Sequence, residues 1–269
     1  MDYFDLYLLH GIEDGNIEAY ENTNCFEWGI QLKNEGKIHH FGMSYHGSPE
    51  VLDDILTKHP EIEFVQIQLN YIDMDNPIIQ SRKQHEVLMK HNRPILIMEP
   101  IKGGTLANVS AEVETMMKQY NPQASIASWA LRYAASLDNV VTVLSGMSTI
   151  EQLNDNIKTF KDFKKFNDEE YKVIHEVVDI MKKSNLIACT NCRYCTDGCP
   201  NQINIPEIFK ALNAKKLSES DWLSERHYGV VTVNSKASSC IKCGMCESVC
   251  PQHLSIMNYL EEAVKEFEQ

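Results

Sequence analysis

Eight of the nine cysteines fall into two tight groups. The first is CTNCRYCTDGCP, with Cys189, Cys192, Cys195 and Cys199 followed by Pro200. The second is CIKCGMCESVCP, with Cys240, Cys243, Cys246 and Cys250 followed by Pro251. Cys25 stands alone. Two-residue spacers let three thiolates turn into one concavity, where loop amides can hydrogen-bond inorganic sulfide. Such a set can hold an iron–sulfur cluster, hold zinc, or oxidise to disulfides. Zinc ribbons pair C-x2-C motifs but rarely carry a third and fourth cysteine in this register. Disulfides need an oxidising compartment, and the sequence shows no basic-then-apolar leader.

Both groups fit C-x2-C-x2-C-x3-C-P and resemble the run of bacterial ferredoxins. In two-cluster ferredoxins the fourth cysteine of each run ligates the other cluster. Carried over, that rule gives Cys189, Cys192, Cys195 and Cys250 for one [4Fe-4S] cluster and Cys240, Cys243, Cys246 and Cys199 for a second. Two cubanes in one small module imply electron relay. IPEIFKALNAKKL and SIMNYLEEAVKEF read as helices that enlarge this module beyond a minimal ferredoxin.

Upstream of the cysteines, strand-like and helix-like segments alternate. DLYLL, KIHHFGMS, FVQIQLN, PILIME and VVTVLSG are the strand candidates. CFEWGIQLKNEG reads as a helix closed by Gly36, and SPEVLDDILTKHP as one capped by Ser48 with Pro49 first. Further helices are expected around Gln80–His91, Ala111–Tyr120 and Ser125–Leu137, and STIEQLNDNI carries a capping-box pattern from Ser148 to Glu151. Apolar strands alternating with helices imply βαβ units and a parallel sheet. Periodicity leaves open whether that sheet is doubly wound or part of an eight-stranded barrel. No G-x-G-x-x-G occurs; Gly103 and Gly104 after Lys102 do not supply one. Residues 161–186 read as an amphipathic helical linker with Asn167 as N-cap.

At 269 residues, 43% hydrophobic and 23% charged, the chain has ordinary globular composition. A formal charge of −13 argues against nucleic acid as a partner. No apolar run is long enough for a membrane span. A cytoplasmic location is expected.

DYFDLYLLH, GKIHHFGMS, FVQIQLNY, PILIMEPIKGG and VVTVLSGMSTIEQLNDNI together resemble strands four to eight of the aldo/keto reductases, in order. The paired cysteine runs resemble the subgroup of that family with an iron–sulfur extension. The resemblance implies α/β architecture: a partial (β/α)8 barrel over residues 1–160, the linker, and a helical two-cluster ferredoxin-like domain over 187–269. It also implies a nicotinamide cofactor, NADH or NADPH, across the strand C-termini and hydride transfer to a small carbonyl substrate. His10 resembles the family's active-site histidine, and Ser44 and Gln66 the residues that hold the nicotinamide carboxamide. Ser145, Gly146, Met147, Ser148, Gln152 and Asn156 resemble the segment that grips the adenosine end. His39, His40 and His46 read as surface or packing residues, and Glu99 and Lys102 as solvated loop charges.

The resemblance also has gaps. The family's catalytic tyrosine, lysine and aspartate come from the first three β/α units, and no matching segment occurs; the chain reads as beginning at the fourth. Met98 stands where many members stack an aromatic ring, and Tyr45 where many have asparagine. Two readings follow. One is an oxidoreductase of aldo/keto reductase type with a flavoprotein or ferredoxin as redox partner. The other is a non-catalytic ferredoxin-type electron carrier with the barrel portion as scaffold.

Overall fold

The computed structural model describes residues 2–76, 79–161, 163–183, 186–217 and 221–268. The chain begins β1 (Phe4–Ile12), α1 (Ile17–Asn22), α2 (Cys25–Asn34), β2 (Ile38–Tyr45), α3 (Pro49–Lys58), β3 (Phe64–Gln68), α4 (Ser81–Lys90) and β4 (Ile95–Met98). It continues α5 (Ala111–Tyr120), α6 (Ile126–Ser136), β5 (Val140–Val143), α7 (Ile150–Lys161) and α8 (Asp168–Lys183). The rest is helical: α9 (Tyr194–Asp197), α10 (Ile205–Leu217), α11 (Asp221–Val231), α12 (Met245–Ser248) and α13 (Ile256–Phe267). Two compact units result, one of residues 1–101 with 124–171, the other of 102–123 with 172–269.

In the first unit all five expected strands form, and all pair in parallel in the order β1-β2-β3-β4-β5. A doubly wound sheet reverses its strand order at a switch point. This one never reverses, which is the winding of a β/α barrel. Ile38, Phe41, Met43, Val65, Ile67, Ile95 and Ile97 are buried, as strands covered by crossover helices require. The outer strands differ: Phe4 and Leu6 on β1 and Val141 on β5 are exposed, and α7 buries no residue.

Local signals set the helix ends. Gly36, at φ +71°, donates to the Lys33 carbonyl while Lys37 donates to that of Leu32, the paired bonds of a Schellman motif. Ser48 caps α3 through the Val51 amide, with Pro49 in the first turn. Asn167 and Glu170 exchange side-chain-to-backbone bonds at the start of α8. Residues 162, 184 and 185 of the expected linker lie outside the described residues. The capping box of α7 is one residue later than expected: Thr149 accepts from the Gln152 amide, and Gln152 Oε1 accepts from the amides of Ser148 and Thr149. Arg132 holds Glu170 with two bonds, at 2.6 and 3.0 Å, and lies over the Phe166 ring.

The second unit packs Ile187, Ile203, Ile205, Ile208, Phe209, Leu212, Tyr228, Ile256 and Leu260 around Cys195 and Cys246. Asn213 clamps the entry to the first cysteine run, accepting from the Ile187 amide and donating to its carbonyl, each at 2.8 Å.

Candidate functional site

The two cysteine runs are built on one plan, repeated at an offset of 51 residues. Asn191 and Lys242 both have positive φ, and their amides point at Cys189 Sγ and Cys240 Sγ, each at 3.4 Å. Arg193 and Gly244 both cap the short helices α9 and α12 in the left-handed region. Gln202 and His253, two residues after each Cys-Pro, repeat the left-handed turn. Left-handed backbone at five non-glycine positions is an unfavourable local choice, and at Asn191 and Lys242 it turns the amide toward a cysteine sulfur.

Cys199 of the first run lines one cavity with Cys240, Cys243 and Cys246 of the second. Ile203, Ile205, Met257 and Leu260 also face it. Conversely, Cys250 of the second run sits close enough to Cys195 to act on its ionisation, as do Cys189 and Cys192. Burial, reinforced by those three neighbours and opposed by a Thr196 hydrogen bond, pushes Cys195 up to about 11. Cys246 is likewise pushed up to about 11, by burial first and then by Glu247, Cys240 and Cys195. Among the described residues no three His, Cys, Asp or Glu side chains converge tightly enough for a single metal ion.

Lys102 is not the solvated loop charge its sequence context suggests. It is 2% exposed and donates to Gln252 Oε1 at 3.1 Å. Gly103, at φ +61°, lies flat on the first run: a Cβ there would meet the Thr190 carbonyl oxygen at 2.4 Å.

In the first unit the remaining candidates sit at the C-terminal edge of the sheet. β1 and β2 lose register between Leu9 and Ile12, where Gly11 takes φ +74° and donates to Ser44 Oγ at 3.3 Å. Ser44 is fully buried and pairs across the strands with Gln66, which contacts Met98 Sδ at 3.5 Å. His10 is exposed, within the last turn of strand before Ile12. His46, read as a surface or packing residue, is a half-buried packing one: its Nε2 lies 3.1 Å from Ser44 Oγ, and burial, with a smaller effect from His10, lowers its pKa. His10, Ser44 and His46 therefore form one group. The S-x-H spacing at a strand end was the available signal. His39 and His40 are exposed as expected.

Near β5, Asn156 donates to Ser145 Oγ at 2.9 Å, and Gly146, Met147 and Ser148 are exposed. The Ser148 and Thr149 amides are already satisfied by Gln152. Tyr45 is fully buried with its hydroxyl on Asp14 and the Ser48 carbonyl; burial and the Asp14 carboxylate push its pKa up. It bolts the loop after β1 to the start of α3.

The profile of the aldo/keto reductase family matches residues 1–179. The chain belongs to the aldo/keto reductase family. A 4Fe-4S dicluster domain matches residues 188–255. This family member is 29% identical over 201 residues to "Uncharacterized oxidoreductase YqkF" of Bacillus subtilis, covering 67% of this chain and 63% of that protein. A shorter likeness, 30% over 77 residues, joins it to the acetyl-CoA decarbonylase/synthase complex subunit alpha 1 of Methanosarcina acetivorans, covering 29% of this chain and 8% of that one. Among solved structures, aldo-keto reductase AKR11C1 from Bacillus halodurans superposes with TM-score 0.52 at 23% identity, over 65% of this chain and 61% of that one. The aldo/keto reductase from Klebsiella pneumoniae in complex with NADP and acetate gives 0.51 at 19%, over 66% and 59%. These two carry the fold. This aldo/keto reductase spans under two thirds of the length of YqkF and of both structures. No described helix is long and apolar enough to cross a membrane.

Proposed function

We propose that this chain is an iron–sulfur oxidoreductase of aldo/keto reductase type that holds two [4Fe-4S] clusters in its second unit. One is ligated by Cys189, Cys192, Cys195 and Cys250, the other by Cys240, Cys243, Cys246 and Cys199. The observation that carries this reading is Cys199 facing the same cavity as Cys240, Cys243 and Cys246. The Asn191 and Lys242 amides supply N–H groups toward cluster-bound sulfur, and the apolar lining keeps water away. When bound, the clusters supply one-electron storage and relay.

The first unit takes the nicotinamide half of the proposal, with either NADH or NADPH. Ser44 and Gln66, neighbours across β2 and β3, hold the carboxamide; His10, near His46, orients a small carbonyl substrate. Ser145 to Ser148, Gln152 and Asn156 hold the adenosine end. The exposed apolar side chains of β1 and β5 support reading the five strands as the fourth to eighth of an eight-stranded barrel. A redox partner, ferredoxin or flavoprotein, exchanges electrons with the clusters. The alternative, a non-catalytic electron carrier, draws on the gathering of all eight paired cysteines in the second unit.

Anaerobic purification tests both halves. About eight iron and eight labile sulfide per chain are expected, four of each per cubane. Zinc in their place overturns the cluster reading. NADPH fluorescence should shift on adding the holo-chain; an unchanged spectrum removes the nicotinamide-linked reading and leaves the electron carrier.

A further inference from the structure

The internal repeat makes the two cluster sites comparable position by position, and the comparison is unequal. Gln252, two residues after Cys250, receives the buried Lys102 ammonium. Its counterpart Asn201, two residues after Cys199, donates to the Ser239 carbonyl instead. The Lys102–Gly104 turn touches both runs that contribute to one cluster. Lys102 reaches Gln252 beside Cys250, and Gly103 packs on Thr190 beside Cys189. Thr190 and Gln252 are themselves buried.

A second inequality points the same way. Thr196, neutral, follows Cys195; its counterpart Glu247 follows Cys246 and is half-buried, accepting from the Met257 amide at 2.9 Å. The other charges at repeat positions are exposed. Arg193 and Asp197 lie on the first run, and Lys242, paired with Glu261, on the second. Solvent and salt screen those far more than a buried ammonium.

We propose that Lys102 and Glu247 set the two clusters apart in potential, so that the cluster on Cys189, Cys192, Cys195 and Cys250 is the more easily reduced. This rests on the two-cluster reading above. Reduction adds one negative charge to a cluster; a buried cation nearby stabilises the reduced form, and a carboxylate destabilises it. One electron delivered to the oxidised pair by dithionite therefore settles on the first cluster and leaves the second oxidised. Gly103 serves the same end, because only a residue without a Cβ lets the turn lie against Thr190.

The test is a redox titration of the anaerobic, fully loaded whole chain, followed by electron paramagnetic resonance. The unmodified chain should give two separate one-electron steps. Lys102→Met should lower the upper step alone: at fixed potential the reduced-to-oxidised ratio falls roughly tenfold, about 59 mV for a one-electron couple. Lys102→Arg should keep it in place. Glu247→Gln should raise the lower step alone. If Lys102→Met does not load its clusters, Gln252→Glu sets a carboxylate beside the ammonium and should also lower the upper step. Both steps unmoved in Lys102→Met, or only the lower one moved, overturns the proposal. An unmodified chain with about four iron and one signal instead overturns the two-cluster reading itself, before any variant is made.

Discussion

Crossed ligation predicts which pairs of cysteine substitutions are redundant. Cys199, half-buried, and Cys192 and Cys243, both exposed, can be cut to alanine without opening the core that contains Cys195 and Cys246. A cubane needs all four thiolates, so each single substitution should remove one cluster, about four of about eight iron. Cys199→Ala with Cys243→Ala strikes one cavity twice, and the double variant should still keep about four iron. Cys199→Ala with Cys192→Ala strikes one ligand from each set, and should leave roughly none. If each run bound its own cluster, the two double variants would exchange outcomes. Iron and labile sulfide per chain, with the paramagnetic signal after dithionite, read the result. A Cys199→Ala, Cys192→Ala chain that retains one intact cluster refutes the assignment.

Four further outcomes follow from the first unit. The Arg132 and Glu170 side chains are 15% and 6% exposed, so Arg132→Ala should cost about 3–5 kcal/mol in denaturant unfolding. Breaking the exposed Lys90–Asp53 pair should cost under about 1 kcal/mol. His46 has a folded pKa below its ordinary 6.5, so the unfolded chain binds the extra proton first as pH falls. Its contribution is intact above 6.5 and is lost as pH drops from there through the folded value; His46→Gln should flatten that slope in pH-dependent melting. Tyr45→Phe removes the hydroxyl's bonds to Asp14 and the Ser48 carbonyl while Asp14 keeps the Ser48 amide, so it should cost roughly 0.5–1.5 kcal/mol and leave NADPH binding unchanged. A binding defect there would place Tyr45 in the site.

Much of this was readable in the chain because the signals were local or doubled. Continuous apolar runs marked all five strands, Gly36 and Ser48 marked helix ends, and the cysteine spacing repeated itself. What escaped depended on distant partners. Lys102 looks like a loop charge until Gln252, 150 residues on, accepts its hydrogen bond. His46 reads only as surface or packing until Ser44 Oγ is seen 3.1 Å from its ring, with the Gly11 amide on the same hydroxyl. The α7 cap slipped by one residue because Ser148 and Thr149 are both hydroxyl residues with an acceptor three positions on. The winding direction of the sheet needed strand pairing, which periodicity does not contain.

The second unit borrows residues 102–123 from between β4 and α6. Here a stretch of the host chain supplies the buried lysine and the glycine that lies against the first run. Cutting the chain after α8 would therefore strip the second unit of part of its own wall.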